Sequence, residues 1–158
     1  MHEPHFWRPL LPHLRLLGYT GLIPFASFAL GAWLMPTEAL RTLSLLMLRV
    51  YGLSILSFIG AISWGLAISI DDLNPAERKS LVYWSVVPSL LACASFLLPS
   101  SDACLTLAVI AALALAVDLR TAIRVKLPVS WRMLRMHLSL GAILSLGAGA
   151  YLAEIGGK

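Results

Sequence analysis

Charged residues are scarce in this sequence. Asp, Glu, Lys and Arg supply 13% of its 158 residues, and 59% are hydrophobic. Ordinary soluble domains have about 25% charged and about 45–50% apolar residues. A soluble fold this apolar would expose large sticky patches, whereas a membrane protein turns such surface toward lipid. With a mean hydropathy of +0.83, the sequence predicts a single-domain, all-α, polytopic integral membrane protein.

Catalytic motifs are absent as well. The chain contains no HExxH metal motif, no GxSxG nucleophile elbow, no P-loop and no Rossmann glycine run. Its adjacent carboxylates, Asp71 and Asp72, point in diverging directions from a loop. We therefore expect no enzymatic activity, no metal and no cofactor.

Cysteine is rare too, with Cys93 and Cys104 outside any CxxC pair or haem-attachment signature. Both lie toward the same end of neighbouring apolar runs, so a disulfide on an oxidising face stays open. The interpretation we favour is that they are small apolar side chains within helices.

Five apolar runs are long enough to cross a hydrocarbon core about 30 Å thick. They cover residues 16–35, 50–70, 81–98, 103–119 and 138–155 of one membrane domain, 16–158. The prolines in residues 1–15 predict an irregular segment at the membrane surface. The basic stretch Arg120–Met136 is predicted to be the only substantial loop.

Local signals predict where several helices begin. Thr37 is expected to cap a long helix from Glu38 to Ile70, and Asn74-Pro75-x-Glu77 has the pattern of a helix start. The fourth span is expected to be capped by Ser101 or Asp102. Ser130 is expected to cap a helix that begins at Trp131.

The basic residues predict the orientation. With an odd number of spans, nine of the twelve Lys and Arg residues fall on one side of the membrane. The positive-inside rule then places the N-terminus in the cytoplasm or matrix and the C-terminus on the opposite side. Because the basic residues lie between apolar runs, we do not expect nucleic-acid binding.

Two helices carry small residues at four-residue spacing, which lets another helix approach closely. The set on the second span is Ser57, Ala61 and Gly65, and the set on the fifth is Gly141, Ser145 and Gly149. These faces predict helix packing, either within the bundle or against other membrane proteins.

Five polar or aromatic residues are candidates for ligand binding: Tyr51, Ser57, Trp64, Asp118 and His137. Trp64 lies about 6 Å from the middle of its span, either as a space filler beside a glycine or in a slot for a lipid or quinone head group. Asp118 is interpreted as an ion pair that fixes the fourth loop or as a proton or head-group site. No charge lies at the centre of a predicted span, which argues against a proton-coupled pump.

The fourth loop combines guanidinium groups with an indole, a composition that suits anionic lipid. The residues are Arg120, Arg124, Lys126, Trp131, Arg132 and Arg135. Topology alone also explains this charge, so specific lipid binding remains an alternative.

Several segments resemble one family. They are LGYTGLIPF (17–25), YGLSILSFIGAISWGLA (51–67), WSVVPSLLA (84–92), DLR (118–120) and LPVSWRMLR (127–135). In this order they resemble the family called domain of unknown function 3429. This family is bacterial and mitochondrial, so the resemblance implies a helical integral protein of a bacterial or mitochondrial inner membrane. It brings no established activity.

These observations favour a non-enzymatic accessory or assembly subunit that packs laterally against other membrane proteins, in an energy-conserving membrane. The alternative is a binder or carrier of a small amphipathic molecule, quinone or lipid, between the second, third and fifth spans.

Overall fold

A computed structural model describes residues 7–156, which form helices joined by short turns, without strands. The helices are α1 (Trp7–Thr20), α2 (Leu22–Leu34), α3 (Glu38–Ser69), α4 (Pro75–Ala94), α5 (Ser100–Arg124) and α6 (Val129–Gly156), and a 3-10 turn, Ser95–Leu97, extends α4. Five helical stretches are long and apolar enough to cross a membrane: Pro9–Leu34, Glu38–Ser69, Pro75–Leu97, Ser100–Arg124 and Val129–Ile155. The prediction of an all-α chain with five spans is confirmed.

The start of the chain differs from the prediction. Residues 7–15 belong to α1 and are not irregular, while residues 1–6 lie outside the described part. Pro9 falls in the first turn, where a backbone N–H has no partner within the helix. Pro12 lies inside α1, so the helix continues past a residue that local rules would place at its end.

The first span is interrupted between α1 and α2. Gly21 separates the two helices while keeping helical backbone angles, and Pro24 follows in the first turn of α2. Pro24 has no N–H to donate to the carbonyl of Thr20. Beside this interruption, the hydroxyl of Tyr51 donates a 2.8 Å hydrogen bond to the carbonyl of Gly21. The second span therefore supplies a hydrogen-bond donor to the backbone where the first span is interrupted.

The predicted caps hold for two helices. Thr37 accepts a hydrogen bond from the backbone of Leu40 at the start of α3, which runs to Ser69. Asn74 and Glu77 form the reciprocal capping box at the start of α4.

The other two helix starts differ from the prediction. α5 begins at Ser100, one residue after Pro99, and no side chain caps it. Ser101 and Asp102, the predicted caps, thus lie within its first turn. α6 begins at Val129, two residues before the predicted start, because Pro128 already marks the end of the preceding turn.

The predicted long basic loop is wrong, because α5 and α6 are joined by residues 125–128 alone. Lys126 adopts a left-handed backbone with φ 57°. The N–H of Leu127 donates to the carbonyl of Ala122 at 2.8 Å, and that of Lys126 to Ile123 at 3.3 Å. This is the Schellman arrangement, which closes a helix abruptly. The basic residues consequently lie on two helix ends.

Contacts between helices show how the spans alternate. Along α2 and α3, Phe25 meets Tyr51 with ring centroids 4.9 Å apart, and Gly31 lies against Ser44. Asp118 pairs with Arg135 between α5 and α6. Sequential spans are therefore antiparallel. We call the end with the α3–α4 and α5–α6 turns the basic end, and the opposite end the far end.

The first and fifth spans are parallel neighbours, since Gly18 lies against Leu138 and Gly141 against Leu22. The core between the spans contains fully buried leucines and alanines. Its largest members are Leu48, Leu56, Leu107 and Leu146.

Gly60 of α3 lies directly against the backbone of α4. A Cβ atom at this position would collide with the backbone carbonyl of Ser85 on α4. Gly60→Ala should therefore lower the free energy of unfolding by roughly 1–3 kcal/mol, because backbone cannot yield as a flexible side chain does. The measurement is the midpoint of unfolding in mild detergent.

Gly147→Ala is the matched control, because nothing lies within 4 Å of a Cβ atom there. It should leave the midpoint unchanged or raise it slightly, since alanine favours helix. Equal midpoints for the two variants would show that α3 and α4 are less closely packed than described.

Candidate functional site

A buried ion pair joins α5 and α6 near the basic end. Arg135 Nε donates to Asp118 Oδ2 at 2.7 Å, and Nη2 lies 2.7 Å from the same oxygen. The two side chains are 10% and 3% exposed. Nη2 is buried and its N–H bonds are not used in a hydrogen bond. The pair therefore balances its charges and still holds unused donor capacity.

A cavity of about 380 Å³ opens beside this ion pair. Along α6 its wall extends from Trp131 to Leu146, which corresponds to about 22 Å of helix. Trp131 and Arg135 line one end, Ser139 lies midway along the α6 wall, and Phe25 and Leu146 line the other end. One end is polar and the other apolar, which is the form of a site for an amphipathic molecule.

The cavity lies between the first, second and fifth spans, with Ala111 contributed by the fourth. This cavity is therefore not the predicted slot between the second, third and fifth spans. At Gly60 the backbone of Ser85 occupies the space between α3 and α4, so these two helices leave no room for a ligand at that level.

Three of the predicted ligand-binding residues lie around this cavity without lining it. Tyr51 packs edge-on against Phe25, which does line it. Asp118 does not line the cavity itself but binds Arg135, which does. His137 Nδ1 lies 3.0 Å from the Tyr19 hydroxyl, an exposed hydrogen bond that joins α6 to α1.

The other two predicted ligand residues, Ser57 and Trp64, face away from the bundle. Trp64 is 55% exposed, and Ser57 is exposed, with its hydroxyl donating to the carbonyl of Leu53 in its own helix. The structure does not bring these two residues to the cavity.

One of the two small-residue faces lies inside the bundle, and the other faces outward. On α6, Gly141 lies against Leu22, and Gly149 against Leu48. Ser145 lies between them, partly buried, with its hydroxyl donating to the carbonyl of Gly141. This face packs inside the bundle.

On α3, Ser57, Ala61 and Gly65 are all exposed. A Cβ atom at Gly65 would meet nothing within 4 Å. We call these three residues the outer face of α3.

Two of the predicted lipid-binding arginines are engaged with carboxylates. Arg124 binds both oxygens of Glu77, at 2.9 and 3.4 Å, and Arg135 binds Asp118. Arg120 and Lys126 are exposed. Arg132 is half-buried, with its Nε making no hydrogen bond. Trp131, the remaining member, lines the cavity.

Two further arginines have structural positions that the sequence analysis missed. Arg49 is 8% exposed; it donates to Ser100 at 3.2 Å and lies 4.7 Å above the ring of Phe96. Arg78 donates to the carbonyls of Ala67 and Ile70 at the end of α3. For Arg49, the Thr37 cap was the sequence signal that could have identified this position, because a helix that starts at Glu38 places Arg49 inside the span.

Cys93 is exposed, Cys104 is buried, and both are free thiols. The described residues include no group of three or more His, Cys, Asp or Glu side chains that could hold a metal ion.

The ion pair gives a stability prediction. Asp118→Asn leaves the Arg135 charge buried without a partner, which should lower the free energy of unfolding by about 3–5 kcal/mol. The double variant Asp118→Leu with Arg135→Met removes both charges and should recover most of this loss. Detergent unfolding midpoints of the two variants test the prediction. A loss below about 1 kcal/mol for Asp118→Asn would indicate a solvated pair.

Comparison with known proteins places these features in a family. The family model described as "Protein of unknown function (DUF3429)" matches residues 11–151. Transmembrane protein 69 of Xenopus tropicalis is 34% identical over 131 residues, which are 82% of this chain and 50% of that protein. The chain therefore spans about half the length of this relative. No solved structure matches the chain.

Proposed function

The chain belongs to the DUF3429 family of membrane proteins, and from this premise we propose that it is a non-enzymatic accessory or assembly protein. It packs laterally against other integral membrane proteins, in a bacterial or mitochondrial inner membrane. The observation that carries this proposal is the outer face of α3, which the bundle itself does not use.

The two small-residue faces support the proposal by contrast. The α6 face is occupied by Leu22 and Leu48 of the same chain. The α3 face has equivalent spacing, but its three residues are exposed, and a Cβ atom at Gly65 would meet nothing within 4 Å. Lipid tails are as apolar as leucine, so small residues aid association by allowing helix backbones to approach closely. The outer face of α3 has this shape.

Bulky residues flank the outer face. Phe58 is 65% exposed, Trp64 55% and Ile68 68%. They form ridges beside a shallow groove made by Ser57, Ala61 and Gly65, and ridges and grooves are the elements of helix packing. A single transmembrane helix of a partner protein fits this groove between the ridges.

The test is a pair of leucine substitutions at glycines with no neighbour within 4 Å. Gly65→Leu fills the groove and should abolish co-purification of membrane partners from native membranes. Gly147→Leu adds the same side chain to α6 and should leave partners bound. Both variants should unfold at the wild-type midpoint.

Two results would contradict the lateral-packing proposal. One is that the wild-type protein leaves its native membrane in mild detergent as a lone monomer. The other is that Gly65→Leu and Gly147→Leu retain the same partners in equal amounts.

The arginines at the basic end support a membrane orientation for this accessory protein. Arg78, Arg120, Arg124, Arg132 and Arg135 lie on helices that meet at that end. We place it on the cytoplasmic or matrix side, with the C-terminus across the membrane. Of the predicted lipid-binding cations, Arg120, Lys126 and Arg132 have no carboxylate in the described ion pairs, and we assign these three to anionic lipid head groups.

A second function is favoured by the cavity: binding or carrying a small amphipathic molecule, a quinone or a lipid. The supporting observation is a volume of about 380 Å³ with a polar and an apolar end. This volume is within the range of small-molecule sites.

Ile62→Phe tests the second function, because Ile62 lines the cavity and is half-buried. The larger ring should reduce the amount of hydrophobic small molecule that co-purifies, measured by solvent extraction and mass spectrometry. Leu144→Phe is the matched control, since Leu144 is 72% exposed on α6 and does not line the cavity. Equal retention in the two variants, or no bound molecule in the wild type, would contradict ligand binding.

A further inference from the structure

We infer that the cavity selects an uncharged amphipath whose head is a planar ring with carbonyl acceptors, the chemical class of quinones. The head lies at the polar end, among Trp131, Arg135 and Ser139, and the chain extends toward Leu146. The inference rests on the second proposed function and names the ligand class for the same cavity.

Charge at the polar end excludes an anionic head. Among the described residues that line the cavity, Arg135 alone is charged, and Asp118 already balances it at 2.7 Å. A phosphate placed there would bring a second negative charge beside the buried Asp118 carboxylate, in a medium where such charges interact strongly. A neutral head avoids this repulsion and leaves the ion pair intact.

The donors at the polar end fit a carbonyl acceptor. Arg135 Nη2 is buried and lies 2.7 Å from Asp118 Oδ2 without hydrogen-bond geometry, and it has a second N–H that a ligand acceptor can use. Ser139 is 4% exposed and lies one helical turn beyond Arg135 on the same face of α6. A carbonyl oxygen between these groups accepts a hydrogen bond without adding charge.

Aromatic lining favours a planar head over a flexible one. Trp131 lies one turn before Arg135 on α6 and lines the cavity. An indole offers a flat surface for offset stacking with another ring. Beyond Ser139 the wall is aliphatic, with Ala142 and Leu146 following along α6. That stretch suits a hydrocarbon chain.

The position of Trp131 makes the inference measurable, because a quinone quenches the fluorescence of an indole that it contacts. The protein for the experiment carries phenylalanine at the other four tryptophans, so that Trp131 is the sole emitter. It is titrated in mild detergent with a short-chain quinone. We expect a saturable component of quenching above the linear background from quinone dissolved in the micelle.

Variants in this background separate the site from the micelle. Ile62→Phe should raise the half-saturating quinone concentration about tenfold, a change that corresponds to about 1.4 kcal/mol. Ser139→Ala should raise it a few-fold through loss of one donor. Leu144→Phe should leave it unchanged. Linear quenching alone, or equal half-saturation in Ile62→Phe and Leu144→Phe, overturns the inference.

Competition with a short-chain phosphatidic acid tests the ligand class. We expect this anionic lipid not to displace the quinone. If it displaces the quinone at equal or lower concentration, the neutral ring class is wrong while the cavity remains a ligand site. If neither molecule gives an effect that depends on Ile62, both the ligand class and the second proposed function fail.

Discussion

The contact of Gly60 with the backbone of Ser85 determines much of the arrangement of the bundle. In a bilayer the apolar surface of a helix gains little by leaving lipid, so close packing has to hold the spans together. A glycine that meets backbone brings α3 and α4 close together. At the level of Gly60 this contact leaves no slot on the α4 side of α3. The cavity beside the ion pair lies on the other side of α3, toward the first and fifth spans.

Charge inside the bundle is compensated group by group. Asp118 and Arg135 neutralise each other between two helices, and Arg78 satisfies carbonyls at the end of α3. Arg49 is bound by the Ser100 hydroxyl and the Phe96 ring in place of a carboxylate. Removing one member of a buried pair is costly, whereas removing both is not. The pair is therefore better understood as fixing the register of α5 against α6 than as a net source of stability.

Predictions based on local chemistry were correct where local chemistry decides the structure. The number of spans follows from apolar runs, and the Asn74–Glu77 box needs only four consecutive residues. The length of α3 follows from the Thr37 cap and the next polar stretch. The first turns of α1 and the Lys126 turn were not predictable in this way. A helix that continues past Pro12, and a lysine in a left-handed turn, depend on contacts that the sequence does not show.

Tertiary position also decides the role of the small-residue faces and of the candidate ligand residues. Ser57, Ala61 and Gly65 have the same spacing as Gly141, Ser145 and Gly149, yet one set faces outward and the other inward. Spacing identifies a face but does not identify its neighbour. Trp64 was likewise chosen as a ligand residue from its position in the span, which does not identify its neighbours. Trp131, which lines the cavity, was assigned to lipid because it lies in a basic stretch.

The outer face of α3 and the cavity are neighbours on one helix. Ile62 lines the cavity, and Ala61, the preceding residue, belongs to the outer face; consecutive residues are turned by about 100° around a helix. Phe58 connects the two surfaces, because it lines the cavity and is 65% exposed. A helix bound in the groove at Gly65 would therefore lie beside the cavity opening. Lateral packing and ligand binding are then compatible, and a partner on α3 is well placed to control how the ligand enters or leaves.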